Sequence, residues 1–489
     1  MSPKHIKTIL IGLLVALASC SDNDSFTTSP YNLLTFGQDT LSLDTVFSTI
    51  PSPHKILMVR NNSGDGIRIT NTRLQNGNQT GFRVNVNGTY LSEALGYQVN
   101  DMELRDGDSL RVFVELTSAN NHDNVPKLVS DNLVFTLESG VRQQVNLRAW
   151  SWDAVLLKGL TVNNDTTIAN PEGKPVVVYD SIRVNENATL TIAPGTTIYF
   201  HNGAGIDVFG TLKAIGDKDN EITLRCDRLD RMVSNLTYDN NPGQWGGIRL
   251  RPSSFDNEVA FADIHGGTTA FNCDTATDGS RAKLYLHNTS IHNMKGCGVK
   301  AVNCSLNIEN TQISNTLDTC LAVIGGNISV NNSTIVQYFP FDASRGPALT
   351  FADAEFENHT PLSMTVRNSI IKGYADDVIY WSHGTTDSPL NVRFENSLLR
   401  TPLPTTDDKE MFVDCIHEDH ADTLTTGKNS FVLFDTDFFF YDFTPKPESP
   451  AIGKANPQTV LPEDRKGKPR NPDSPDMGCY ETEKQTEKD

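Results

Sequence analysis

Asp376 and Asp377 stand side by side, followed by Ser382-His383-Gly384. Two carboxylates and an imidazole can deliver and withdraw protons around a bond being broken, so these three are the candidate catalytic groups. A solvated turn is the simpler role for them. Lys295, Lys300, Arg345, Arg367 and Arg393 are the cations able to act as bases, but they are scattered along the chain. Asp407, Asp408, Glu410 and Asp414 offer the hard oxygen ligands that would suit Ca2+, and an acidic loop more often holds water alone. Trp245, Trp381, Tyr338-Phe339 and Phe438-Phe439-Phe440-Tyr441 could stack on sugar rings if they point outward, though filling a core is the commoner use. No Ser-His-Asp order, metal-binding His pair or phosphate-cradling Gly loop stands out, so no metal site, no other cofactor and no complete catalytic set are expected.

At 489 residues the chain is long enough for more than one core. Lys and Arg number 41 against 60 for Asp and Glu, a net charge of −19 with no basic patch. Nucleic acid is therefore not an expected partner, because binding it depends on neutralising phosphates. The first residues read as an export signal: Lys4, His5 and Lys7, then an apolar run from Ile9 to Leu17, then Leu17-Ala18-Ser19-Cys20. The apolar run is too short to span a bilayer comfortably. Seven cysteines follow Cys20, namely Cys226, Cys273, Cys297, Cys304, Cys320, Cys415 and Cys479. None forms a CxxC pair, and the expected fate of most is burial as small hydrophobes.

The elements that would position any site are strands. Leu110, Val112, Val114 and Leu116 alternate onto one face, as do Leu133, Phe135 and Leu137, and Val145, Leu147 and Ala149. Such runs, separated by Gly, Asn and Asp, predict a β-sandwich over 31–153. From about 154 the pattern changes. An eight-residue phrase recurs at Leu284–Ile291, Leu306–Ile313, Ile328–Ile335, Met364–Ile371 and Val392–Leu399, with its asparagine at Asn288, Asn310, Asn332, Asn368 and Asn396. The steps of 22, 22, 36 and 28 residues predict stacked repeats with looped insertions, and the absence of helical periodicity makes them β repeats. Leu286, Ile308, Val330, Val366 and Phe394 should form one interior column. The five asparagines should form a structural ladder of amides bonded up the stack rather than a site.

The Leu17–Cys20 stretch resembles a bacterial lipobox, which implies cleavage before Cys20, lipid attachment there and a membrane anchor. Ser21-Asp22-Asn23-Asp24 is similar to the surface-export signal of Bacteroidetes lipoproteins, with Asn23 departing from its all-acidic form. Gln244-Trp245-Gly246-Gly247-Ile248, with Ser449-Pro450-Ala451-Ile452-Gly453, Asp464, Gly467, Arg470 and Asp476–Glu481, resembles right-handed parallel β-helix proteins of Bacteroidetes, of pectin-lyase-like fold. The stretch before it loosely resembles immunoglobulin-type modules. The resemblance implies a C-terminal tail that caps the last coil, and sets Asp376, Asp377 and His383 in doubt as a site, because hydrolases of that fold carry the pair and the histidine on neighbouring coils.

The expected organisation is an all-β chain: signal peptide 1–19, acylated Cys20 and tether 20–30, immunoglobulin-like sandwich 31–153, right-handed parallel β-helix 154–445, cap 446–481 and polar tail 482–489. The expected protein is an outer-membrane or surface lipoprotein that binds a polysaccharide or an envelope partner. The alternatives are a polysaccharide lyase or glycoside hydrolase, and a structural spacer; the incomplete catalytic set leans away from an enzyme.

Overall fold

The computed structural model describes residues 25–170, 173–354, 360–383, 390–419 and 421–482. The expected signal peptide and the lipid attachment at Cys20 lie outside these residues, as does the side chain of Asp407. The chain divides into two compact units between Asp153 and Ala154.

Described by itself, the N-terminal unit holds two five-stranded sheets. Neighbouring strands are antiparallel, except that Arg142–Trp152 pairs in parallel with Thr40–Phe47. Strand alternation sends every second side chain inward. Leu110, Val112, Val114, Leu116, Leu133, Phe135, Leu137, Val145, Leu147 and Ala149 are all buried in one core, shared by both sheets.

The C-terminal unit is built on two parallel sheets, one of 11 strands and one of 17. Their inward side chains form one continuous hydrophobic core. Leu286 pairs with Ile308, Ile308 with Val330, Val330 with Val366 and Val366 with Phe394, all buried, so the repeated phrase does set the register. In the other sheet Ile264, Ile291, Ile313, Ile335, Ile371 and Leu399 form the matching column.

The asparagine of each phrase makes the turn between the two sheets. Asn288, Asn310, Asn332, Asn368 and Asn396 have φ between 44° and 50°, the left-handed region that asparagine tolerates better than most residues. This corrects the expected ladder. None of the five amides bonds another; Asn368 Nδ2 donates instead to Asn331 Oδ1 of the neighbouring repeat at 3.0 Å. A continuous series of bonds up the stack comes from the residue after the asparagine. The hydroxyls of Thr289, Thr311, Ser333, Ser369 and Ser397 each donate to the carbonyl two residues earlier. Those of Ser333, Ser369 and Ser397 also accept the backbone N–H of Thr311, Ser333 and Ser369, at 3.3, 3.1 and 3.1 Å.

The asparagine amides hold the C-terminal segment instead. Asn288 Nδ2 donates to the carbonyls of Asp464 and Arg465, Asn310 Nδ2 to that of Glu463, and Asn332 Oδ1 accepts from Leu461 N. Asn368 Oδ1 accepts from Asn456 N, and Arg470 donates to Asn310 Oδ1 at 2.9 Å. The segment 446–481 thus runs lengthwise along the turns, where an end cap was expected. Its Ala451, Met477, Cys479 and Tyr480 join Val336, Ile370, Leu398, Phe431 and Phe443 in a second core on the outer face of the 11-stranded sheet. The seven described cysteines are free thiols, and all but Cys415 are buried.

Removing a buried hydroxyl acceptor strands a backbone donor. Ser369→Ala should therefore lower unfolding stability by about 1 to 3 kcal/mol in a urea titration. Asn310→Leu and Asn310→Gly both delete the bonds to the C-terminal segment, but only leucine also resists φ 44°. Leucine should cost about 1 to 2 kcal/mol more than glycine, and equal losses would show that the backbone at this turn is unstrained.

Candidate functional site

Alternation along Ala262–His265 turns Ile264 into the core and leaves Asp263 and His265 on the outer face. Parallel pairing with Ser290–Met294 sets Ser290 beside Asp263 and His292 beside His265. The next strand, Gln312–Thr316, continues the two outer columns with Gln312 and Ser314. Because adjacent strands lie about 4.8 Å apart, identical residues in register must stack. The rings of His265 and His292 do so, with centroids 4.7 Å apart and planes at 17°.

Both imidazoles point at one atom. Asp263 Oδ1 lies 2.7 Å from His265 Nδ1 and 3.1 Å from His292 Nε2. The other nitrogen of His265, Nε2, lies 2.8 Å from Asp239 Oδ1, carried by the short 3-10 turn Tyr238–Asn240. Arg225 then clamps the same Asp239 oxygen at 2.8 Å. Burial alone would push the His265 pKa down, but the carboxylates of Asp263 and Asp239 outweigh it and carry it up to about 10. Burial would raise both carboxyls, and it is outweighed in turn: His292 and His265 hold Asp263 well below the usual range, and His265 and Arg225 depress Asp239.

The cluster forms one end of a cleft of about 230 Å³. Its floor is polar, with Asn240, Ser290, Gln312 and Ser314, and with Asn293 and Asn315, both at left-handed φ within their strands. Its far wall is aromatic, formed by Phe439, Phe440, Tyr441 and Phe443 at the Phe431–Asp435 and Phe440–Pro445 hairpin, with Tyr480. Tyr480 is fixed by the bond from its hydroxyl to Gln312 Oε1 at 2.7 Å. Two buried polar atoms of the lining have no protein partner, Asn315 Oδ1 and Tyr441 Oη. Unsatisfied buried acceptors and donors are uncommon in folded proteins, and here they mark where a polar ligand or water would bond. Phe440 in that wall is 59% exposed, and Phe438 beside it is 54% exposed.

The residues singled out from sequence lie elsewhere. Asp376 pairs with Arg400 at 2.9 Å, and Asp377 accepts from Thr401 Oγ1 at 2.7 Å and from the backbone of Ile379. His383 stands 3.9 Å from Asp408. The two turn carboxylates are taken up by Arg400 and Thr401, just past the strand Leu398–Leu399, rather than by the histidine. Arg367 and Arg393 both bind Glu395. Asp408, Glu410 and Asp414, the described members of the calcium set, do not converge; Asp414 occupies the left-handed turn position of the asparagine column. Among the described residues the ligand atoms that do converge are those of Asp263, His265 and His292, all within 4.8 Å of one another. The sequence signal for them is the dipeptide Ile264-His265 repeated as Ile291-His292, with both isoleucines in the core column. Of the aromatics, Trp245, Tyr338 and Phe339 are buried as core, and Trp245 Nε1 supports the site from inside by donating to the His265 carbonyl at 2.8 Å.

No family model matches the chain, and no curated protein sequence matches it. Among solved structures, the VesB protease of Vibrio cholerae is similar over 24% of this chain and 31% of its own, with 13% identity and a TM-score of 0.17. A family 123 glycoside hydrolase from Clostridium perfringens is similar over 26% of this chain and 30% of its own, with 6% identity and a TM-score of 0.18. The chain thus spans under a third of either protein, and likenesses of this size carry no functional argument.

His265 is the shared donor that separates two carboxylates. His265→Leu should cost about 3 kcal/mol at neutral pH, since it leaves buried charge uncompensated. Adding Asp239→Asn should restore part of that loss, and strictly additive losses in the urea midpoints would show that the two residues are not coupled.

Proposed function

We propose that this chain is a lipoprotein, anchored at Cys20 to the outer membrane, that binds a glycan in the cleft between the outer columns of the 11-stranded sheet and the aromatic hairpin. Its C-terminal unit is read as a right-handed parallel β-helix of pectin-lyase-like type, following an immunoglobulin-like sandwich. Three features support that reading of the fold: two long parallel sheets around one core, in-register isoleucine and leucine columns, and hydroxyls bonded from strand to strand. The anchor rests on the Leu17-Ala18-Ser19-Cys20 motif alone.

The observation that carries the binding reading is the pairing of an amide- and hydroxyl-rich floor with an exposed aromatic wall. A sugar ring presents hydroxyls around its edge and C–H groups on its faces. Asn240, Asn293, Gln312 and Asn315 can exchange hydrogen bonds with the edge, while Phe439 and Phe440 can cover a face. A second reading, a glycan-cleaving enzyme, is favoured by one feature: Asp263 and His292 bring a carboxylate and an imidazole to the cleft.

Incubating the purified protein with plant and host polysaccharides tests both, reading retention on immobilised glycan and new unsaturated or reducing ends. Retention without cleavage, weakened about tenfold by Phe440→Ala, is the expected result. New ends that vanish in His292→Ala would make it an enzyme, and neither signal would leave a structural spacer. Cys20→Ala should release the protein from membranes, and continued membrane association would refute the anchor.

A further inference from the structure

We propose that Asp263, His265 and His292 form a binding site for a single transition-metal dication of the zinc class, with its open coordination position facing the cleft. The inference does not rest on the glycan reading, because cation binding is measured without sugar.

The donor set selects the ion. Two imidazole nitrogens and one carboxylate oxygen suit Zn2+ and its neighbours, whereas Ca2+ and Mg2+ require a shell of oxygens. The three donor atoms lie within 4.8 Å of one another, and both imidazoles aim at the same point, now occupied by Asp263 Oδ1 at 2.7 and 3.1 Å. An ion bound at about 2.1 Å from each nitrogen needs Asp263 to withdraw by roughly 2 Å. That is a side-chain rotation at a residue with room to make it, since Asp263 is partly exposed and lines the cleft.

Two further features belong to metal centres rather than to simple ion pairs. Ligand histidines usually donate their second nitrogen to a carboxylate, which fixes the tautomer and the ring orientation. His265 has that partner: Nε2 faces Asp239 Oδ1 at 2.8 Å, leaving Nδ1 for an ion, and Arg225 holds Asp239 in place at 2.8 Å. The backbone of His265 is also pinned from the interior by Trp245. Separately, the cleft beside the cluster carries the unpartnered acceptor Asn315 Oδ1, on a side chain 1% exposed. A water or substrate oxygen on the fourth metal position would be a donor placed in that same cleft. Three protein ligands and an open position is the arrangement of zinc sites that do chemistry, while structural sites are closed by four.

The test uses the full-length chain purified in detergent, stripped with a chelator and titrated with ZnCl2 against a chromophoric chelator, then with CoCl2 while the visible spectrum is recorded. One Zn2+ per chain and a tetrahedral Co2+ absorption band are expected. His292→Ala should abolish both. Asp239→Asn, which keeps all three ligands, should weaken Zn2+ binding by about 10- to 100-fold. His122→Ala, in the N-terminal unit, should change neither. Circular dichroism confirms folding, and if His292→Ala fails to fold, Asp239→Asn and Asp263→Asn carry the test. Binding weaker than about 100 μM, binding that survives both His292→Ala and Asp239→Asn undiminished, or a preference for CaCl2 would overturn the assignment.

Discussion

Hydrogen-bond register between parallel neighbours places the side chains along most of the two long sheets. A residue in one strand finds its counterpart in the next about 4.8 Å away, on the same face, with no freedom to turn aside. That constraint builds the interior column from Leu286 to Phe394, and the same constraint stacks His265 on His292. Core and candidate site are therefore two faces of one arrangement. A slip of one residue would send Ile264 and Ile291 outward and bury Asp263, His265 and both their partners.

The turns between the sheets show how such a register is kept. Each left-handed asparagine carries the chain from one sheet to the other at a fixed place, and the hydroxyl after it ties its turn to the neighbouring one. Where the phrase departs from asparagine the backbone keeps its shape: Phe261 takes φ 45° and Asp414 takes 50°. At Cys415 a thiol stands in the hydroxyl column and still approaches the carbonyl two residues back, at 3.5 Å. The geometry of the turn outlasts the residue types that suit it best, as expected when tertiary pairing overrides local preference.

What could be read in the amino-acid sequence follows from this. The asparagines and the apolar positions around them repeat visibly, so the register between Leu286 and Phe394 was legible. The role of the asparagines was not, because the sign of φ decides whether an amide faces its neighbour or the C-terminal segment. The Asp263 cluster was hidden for a specific reason. The copy of the phrase that contains it begins at Asn257 and has Phe261 where asparagine stands elsewhere, so the 27-residue step from Ile264 to Ile291 does not announce itself. Asp239 comes from an excursion outside any repeat, and no periodicity could bring it to His265. Asp376, Asp377 and His383 are close in sequence, yet the two carboxylates lie in the turn before Ile379–Ser382 and His383 lies beyond that strand, so adjacency along the chain does not bring them together.

The C-terminal segment has a consequence of timing. It touches turns from Asn288 to Asn396, and Arg465 reaches back across 244 positions to pair with Glu221 at 3.0 Å. Contacts so remote in sequence cannot form until the strands between them are in place, and during synthesis this segment emerges after the strands it covers. The hydrophobic strip of Val336, Ile370 and Leu398 that it covers is therefore bare on the nascent chain. Docking of residues 446–481 closes that strip, making the segment a seal whose arrival separates a sticky intermediate from the finished fold.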